Sequence, residues 1–312
     1  MKNVCAFLLS ALMLCSCAGD RYATLSGLAQ GGNYTVKFKL KGCGRPVRQI
    51  RNDVDSILTA IDFSLSGYNR ASLLSRYNAG EEIVPDRFFG EVLELSEKYK
   101  ALTGGAFDVA AAPLFDIWGF GFKTDSLPSD DAVRTAMRLS AEGKTLNFNA
   151  IAQGYTCDVI AEYLHGIGVK DMLVDIGEIY CEGLNPSGQS WRIGIDNPVD
   201  GNDTPGSDMR GIWSSGGRAC GIVTSGNYRK FYVKDGKKYA HTIDPRTGYP
   251  VRHNLLSATI VAPTAAEADA FATACMVWGA DEAREFILSN EGIEGCLICS
   301  DTVWISPGFQ KL

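Results

Sequence analysis

Histidine is scarce, with three residues in 312. Positive charge is not in surplus either: 30 Lys and Arg stand against 36 Asp and Glu, a formal net charge of −6. Without a basic excess the chain has little to neutralise a phosphate backbone with, so nucleic acid is not expected as a partner. No P-loop and no GxGxxG occurs, which leaves a dinucleotide-binding Rossmann reading without its fingerprint. There is no internal repeat and no low-complexity run. The apolar run near the N terminus, Val4 to Leu14, is too short to span a bilayer.

Hydrophobic residues make up 46% of the chain and charged residues 21%, the composition of a packed soluble core. The length allows one large domain or two ordinary ones. The short apolar run follows a single Lys and has the shape of a secretory signal. It ends in Leu14-Cys15-Ser16-Cys17, which resembles a bacterial lipobox. The expectation is a lipoprotein signal peptide over 1–16, a lipid-anchored tether over 17–28 that starts at Cys17, and one domain over 29–312. A plain signal peptide with incidental cysteines is the alternative. More than one acyl chain is needed for a stable hold on a membrane. Seven cysteines follow Cys17; seven cannot all pair, and most sit in apolar runs as small hydrophobes. Cys296 and Cys299 have CxxC spacing, but on a strand residues three apart point to opposite faces. That argues against a redox or metal pair; a disulfide remains open.

Alternation marks "NYTVKFKL" (33–40) as a strand. Helical spacing runs through Val47, Ile50, Val54, Ile57, Leu58 and Ile61. A second helix runs through "RFFGEVLELSEKYKALT" and stops at Gly104-Gly105. Ser129 reads as the N-cap of "DDAVRTAMRLS". "TLNFN" reads as a short strand feeding the helix "AIAQGYTCDVIAEYLHGIG". Strands and two late helices complete the chain, and 197–211 is a polar loop. Helices and strands mix without regular βαβ alternation, so the fold class is α+β.

Five stretches could carry chemistry. In "EADAFATA", Asp269 and Thr273 are i and i+4 on one helix face. Both offer hard oxygens, a pairing that suits Mg²⁺; a solvated Asp and a Thr bonded back to its helix would look the same. In "NFNAIAQG" (147–154) a strand enters a helix N-terminus lined with small residues, where free N–H groups suit an anion. "GGAFDVA" (104–110) and "SGYNRASLLSRYN" (66–78) hold aromatic and charged side chains that could cradle a flat ring or serve the core. "HTIDPRTGYP" (241–250) joins His241 to a turn made by Asp244, Pro245 and Gly248. A turn alone needs neither His241 nor Arg246.

In order, "AFD" (106–108), "WGFG" (118–121), "NFNAIAQGYTCD" (147–158), "TSGNYRKFY" (224–232), "HTIDPRTGYP" and "APTAAEADAFATA" (262–274) resemble the ApbE family of FAD:protein FMN transferases, over nearly the whole mature chain. The resemblance implies an α+β fold and a Mg²⁺-dependent reaction. FMN passes from FAD to a Thr or Ser hydroxyl of a target protein as a phosphoester, and AMP is released. It implies acceptors of the Rnf or sodium-pumping NADH:quinone oxidoreductase type. It also implies a lipid-anchored place in the bacterial cell envelope, on the periplasmic side of the inner membrane.

Carried over residue by residue, the metal ligands would be the Ala150 carbonyl and the side chains of Asp269 and Thr273. Flavin and adenosine would lie near Gln30, Tyr68, Ala106, Phe107, Asp108, Asn147, Gln153 and Ile243. His241 would stand near the transferred phosphorus as general base, since a Ser or Thr hydroxyl is a poor nucleophile at neutral pH. Asn147 stands where relatives often carry Asp, Gln153 where Lys or Glu is common, and Gln30 matches a usual Met. The same residues admit an FAD pyrophosphatase that makes FMN and AMP, or a flavin-binding lipoprotein without turnover.

Overall fold

The computed structural model describes residues 21–120, 127–199, 202, 204, 206–228, 231–234, 237–240 and 242–309, with the two short strands between 231 and 240 described by their backbone alone. The expected signal peptide, Cys17 and His241 lie outside the described residues.

Among the described residues eight strands form one sheet in the order β1-β2-β3-β4-β7-β10-β11-β12, every neighbouring pair antiparallel. They are β1 (Tyr22–Ala29), β2 (Gly32–Lys39), β3 (Met172–Asp175), β4 (Ile179–Glu182), β7 (Cys220–Gly226), β10 (Leu255–Ala262), β11 (Glu294–Cys299) and β12 (Val303–Ile305). Two ribbons stand apart: β5 (Arg192–Asp196) with β6 (Met209–Ser214), and β8 (Phe231–Lys234) with β9 (Lys237–Ala240). The helices are α1 (Val47–Leu65), α2 (Leu73–Asn78), α3 (Arg87–Leu102), α4 (Ala112–Ile117), α5 (Asp130–Ala141), α6 (Ala152–Gly166), α7 (Ala265–Trp278) and α8 (Ala280–Ser289), with a 3-10 turn at Val109–Ala111. The mixed, antiparallel α+β class is the one the sequence implies.

Alternation along the strands sorts the core into two faces. Val223, Ala258, Ile260 and Leu297 face α3, α7 and α8. Val36, Phe38, Met172 and Val174 face α1 and α6 on the β1–β3 side. Ile222, Val261, Cys296 and Ile298 point the other way, under the β5–β6 ribbon with its Trp191 and Trp213. Cys296 belongs to this face while Cys299 packs with the helix-side core, so the CxxC thiols are separated by the sheet.

The structure differs from the sequence reading at two segments that flank the site. The stretch expected as a tether, 17–28, is from Tyr22 onward the edge strand β1, paired with β2 from Tyr22↔Lys39 to Ala29↔Gly32. Its side chains alternate only weakly between buried and exposed, as edge strands permit. "TLNFN" is not a strand. Its backbone is satisfied singly: Leu146 exchanges two bonds with the Asn78 amide, at 2.8 Å each, and the Asn147 N–H donates to the Val109 carbonyl at 2.8 Å.

Helix α7 is apolar almost all round, with eleven of its fourteen residues buried, which is the pattern of a helix enclosed by the fold. It lies between α6 and the sheet. A Cβ on Gly154 of α6 would collide with the Ala265 carbonyl, and one on Gly221 of β7 with the Ala265 backbone. Two glycines therefore let α7 approach helix and sheet at the same end.

Candidate active site

The close approach of α6 and α7 places an acid where the sequence reading expects a metal ligand. Asp269 is 4% exposed, and its Oδ2 accepts from the Gly154 N–H at 3.2 Å. Gly154 lies in the first turn of α6, where N–H groups lack intrahelical partners. Burial pushes the Asp269 carboxyl up to about 7, the Gly154 bond opposes this, and the nearby Asp158 carboxylate adds to it. No backbone N–H among the described residues bonds to the Ala150 carbonyl. Thr273 follows Asp269 by four residues on α7 and is half-buried, so both face the same side. A carboxylate, a hydroxyl and a spare carbonyl are hard oxygens, a donor set that fits Mg²⁺ completed by water and phosphate oxygens.

Two other expected residues are tied to helix α6, Gln30 and Gln153, and two more are held by bonds of their own. Gln30 sits at the β1–β2 turn with φ +50°, and its Nε2 donates to Thr156 Oγ1 at 2.6 Å. Its buried Oε1 has no partner among the described residues. Gln153 Nε2 donates to the Ile176 carbonyl at 3.0 Å, in the β3–β4 turn, where Gly177 at φ +95° leaves room for the amide. Asn147 Oδ1 accepts from the Asn149 N–H at 2.9 Å. Asp108 is engaged twice: Oδ1 accepts from the Ala110 N–H at 2.9 Å, and Oδ2 pairs with Lys100 Nζ at 2.9 Å.

Other expected residues are placed differently. Ala106 and Phe107 are each 1% exposed, with Phe107 edge-on to Tyr99, so their side chains belong to the core and only backbone is left for a ligand. Ile243 is likewise buried, in a cluster with Leu114, Trp118 and Val133. Tyr68 is the opposite case, 72% exposed in the loop after α1.

The turn after His241 is firmly held. Arg246 Nε and Nη2 donate to the two oxygens of Asp244, each at 3.0 Å, and Nη1 reaches Glu282 of α8 at 3.3 Å. Trp118 Nε1 donates to the Gly248 carbonyl at 2.8 Å, and Tyr249 donates to Asp130 at 2.7 Å. A Cβ on Gly248 would crowd Val133 and Met137. Thr242 Oγ1 donates to Asn227 at 2.6 Å. Arg246 thus ties the turn to α8, which gives it a reason beyond the turn itself.

Three features escaped the sequence reading. Asp158 lies at the end of a quoted motif without a role, yet its carboxylate joins α6 to α7. The Asp175-Ile176-Gly177 turn packs on Gln153, and Asp-x-Gly after a strand was an available signal. Gly154 is the third, because its cause is the contact with Ala265, far away in sequence.

Known proteins share this fold. The model of the ApbE family matches residues 31–297. The FAD:protein FMN transferase of Vibrio cholerae serotype O1 is 32% identical over 314 residues, covering 93% of this chain and 92% of its own length. That of Escherichia coli K12 is 30% identical over 293 residues, covering 84% and 81%. Among solved structures, the flavin transferase ApbE from Vibrio cholerae superposes with a TM-score of 0.79 at 27% identity, over 92% of this chain and 98% of that one. The apo flavinyl transferase ApbE of Pseudomonas stutzeri superposes with a TM-score of 0.80 at 29% identity, over 92% and 95%. The chain belongs to the ApbE family.

Proposed function

We propose that this chain is an FAD:protein FMN transferase that moves FMN from FAD onto a Ser or Thr hydroxyl of an acceptor protein. The observation that carries the reading is the buried Asp269 carboxylate bonded to the N-terminal turn of α6, with the spare Ala150 carbonyl ahead of that helix and Thr273 one turn along α7 from the acid. In the reaction the acceptor oxygen bonds to the FMN phosphorus. The P–O bond to the AMP phosphate breaks, and the hydroxyl proton passes to His241. Ala150, Asp269 and Thr273 would hold Mg²⁺, which when bound neutralises charge on the diphosphate as AMP leaves. The positive end of the α6 dipole would favour the same phosphates, while the N–H groups of Ala152, Gly154 and Tyr155 are already bonded to Phe148, Asp269 and Ile151. Tyr68 would offer its exposed ring to the flavin, and Gln30, Asn147 and Gln153 would offer their amides to the nucleotide.

Lipidation at Cys17 would hold the domain on the periplasmic side of the inner membrane, within reach of acceptors of the Rnf or sodium-pump type. The test uses protein that starts after Cys17, with FAD, Mg²⁺ and such an acceptor domain. AMP release and in-gel flavin fluorescence are followed. Fluorescent acceptor with equimolar AMP is expected. AMP and free FMN with a dark acceptor would establish a pyrophosphatase instead. Bound FAD without any AMP would overturn the role of His241. His241→Ala should lose about 10²–10⁴-fold in rate with FAD binding intact.

A further inference from the structure

We infer that Asp158 is a positioning residue that fixes where the Asp269 carboxylate lies; this rests on the reading of Asp269 as a cation ligand. Among the described residues the Asp158 carboxylate bonds to backbone N–H groups alone. Its Oδ1 accepts from the Ala265 N–H and its Oδ2 from the Ala266 N–H, both at 2.8 Å. In return, the Gly154 N–H of the same helix donates to Asp269 at 3.2 Å.

The spacing makes this a rectangle. Gly154 and Asp158 are i and i+4 on α6, and Ala265 and Asp269 are i and i+4 on α7, so each pair shares a face. The helices hold each other at two points about one turn apart. α7 cannot slide along α6 or rotate against it without breaking one of them. A single cap would fix only the start of α7, and the helix already has one: Thr264 accepts from the Glu267 N–H at 3.2 Å. The second, bidentate clamp sets direction as well as position. Thr273 is the next residue along the same α7 stripe, so the clamp aims both side-chain oxygens.

The test measures Mn²⁺ in place of Mg²⁺, by loss of the free-ion paramagnetic resonance signal beyond the loss that the same ADP causes without protein; ADP carries a diphosphate without a flavin. Asp158→Asn keeps one acceptor and turns its NH₂ toward the second N–H. It should weaken Mn²⁺ binding at least about tenfold. Thr264→Ala removes the cap of the same helix end. It should lower the melting temperature comparably while Mn²⁺ affinity stays within about twofold. If Asp158→Asn fails to fold, Asp158→Glu serves: it keeps the charge but displaces it by one methylene, and should also weaken Mn²⁺. Unchanged Mn²⁺ affinity in the Asp158 variant, or an equal loss in Thr264→Ala, would overturn the positioning role. Wild-type protein that binds no Mn²⁺ would overturn the cation site itself, and the inference with it.

Discussion

Single atoms decide much at the helix contact. Gly154→Ala would drive a Cβ into the Ala265 carbonyl, which is backbone and cannot turn aside. Overpacking of this kind costs about 1–3 kcal/mol or more, so urea unfolding should show a loss of about 3 kcal/mol, with Mn²⁺ affinity falling in parallel. Tyr68 predicts the reverse pattern. At 72% exposure it supports little of the fold, and stacking on a ring is worth about 1 kcal/mol. Tyr68→Ala should weaken FAD binding about fivefold, by fluorescence titration, at an unchanged melting temperature. At this scale the sequence was informative where spacing alone sets geometry, as with Asp269 and Thr273 on one helix face. It was silent on Asp158, because a carboxylate that caps another helix leaves no local pattern. The partners are 107 and 108 residues away.

Elements were legible in proportion to their periodicity. The long amphipathic helices α1 and α3 and the alternating β2 follow their apolar spacing, and Ser129 caps α5 as expected, accepting from the Ala132 N–H at 3.3 Å. β1 was missed because an edge strand needs no strict alternation. "TLNFN" was misread because β-prone residues there bond to a side chain and a single carbonyl rather than to a ladder. The far end of α7 carries a pH prediction. His253 Nε2 donates to the Met276 carbonyl at 2.9 Å, and burial pushes its pKa below the ordinary 6.5. The unfolded chain takes up a proton near pH 6.5, while the folded chain does so only at lower pH. Stability is therefore full above 6.5 and lost as the pH falls through that value. His253→Gln keeps a donor but does not titrate. The melting-temperature gap between wild type and variant should narrow from pH 7.5 to pH 5.

Across the whole molecule, the sheet halves meet where β4 pairs β7 over three residues, Ile179↔Ile222 to Cys181↔Cys220. Five thiols are sealed on either face: Cys157, Cys181, Cys220, Cys275 and Cys296; Cys43 and Cys299 are half-buried. Burial also pushes the Cys275 and Cys296 thiols up, the latter to about 11. Brief alkylation of native protein lacking its first 17 residues should mark at most Cys43 and Cys299, and unfolding should release the other five, counted by intact mass. The overall α+β class was legible in the mixing of elements. The strand order was not, because it depends on pairings between distant segments. The α6–α7 clasp has a consequence for biosynthesis. Its two halves are separated by 115 residues, and ribosomes add about 5–20 residues per second. A nascent α6 therefore waits on the order of ten seconds for α7, with Gly154 and Asp158 exposed to whatever binds unfinished chains until α7 is made.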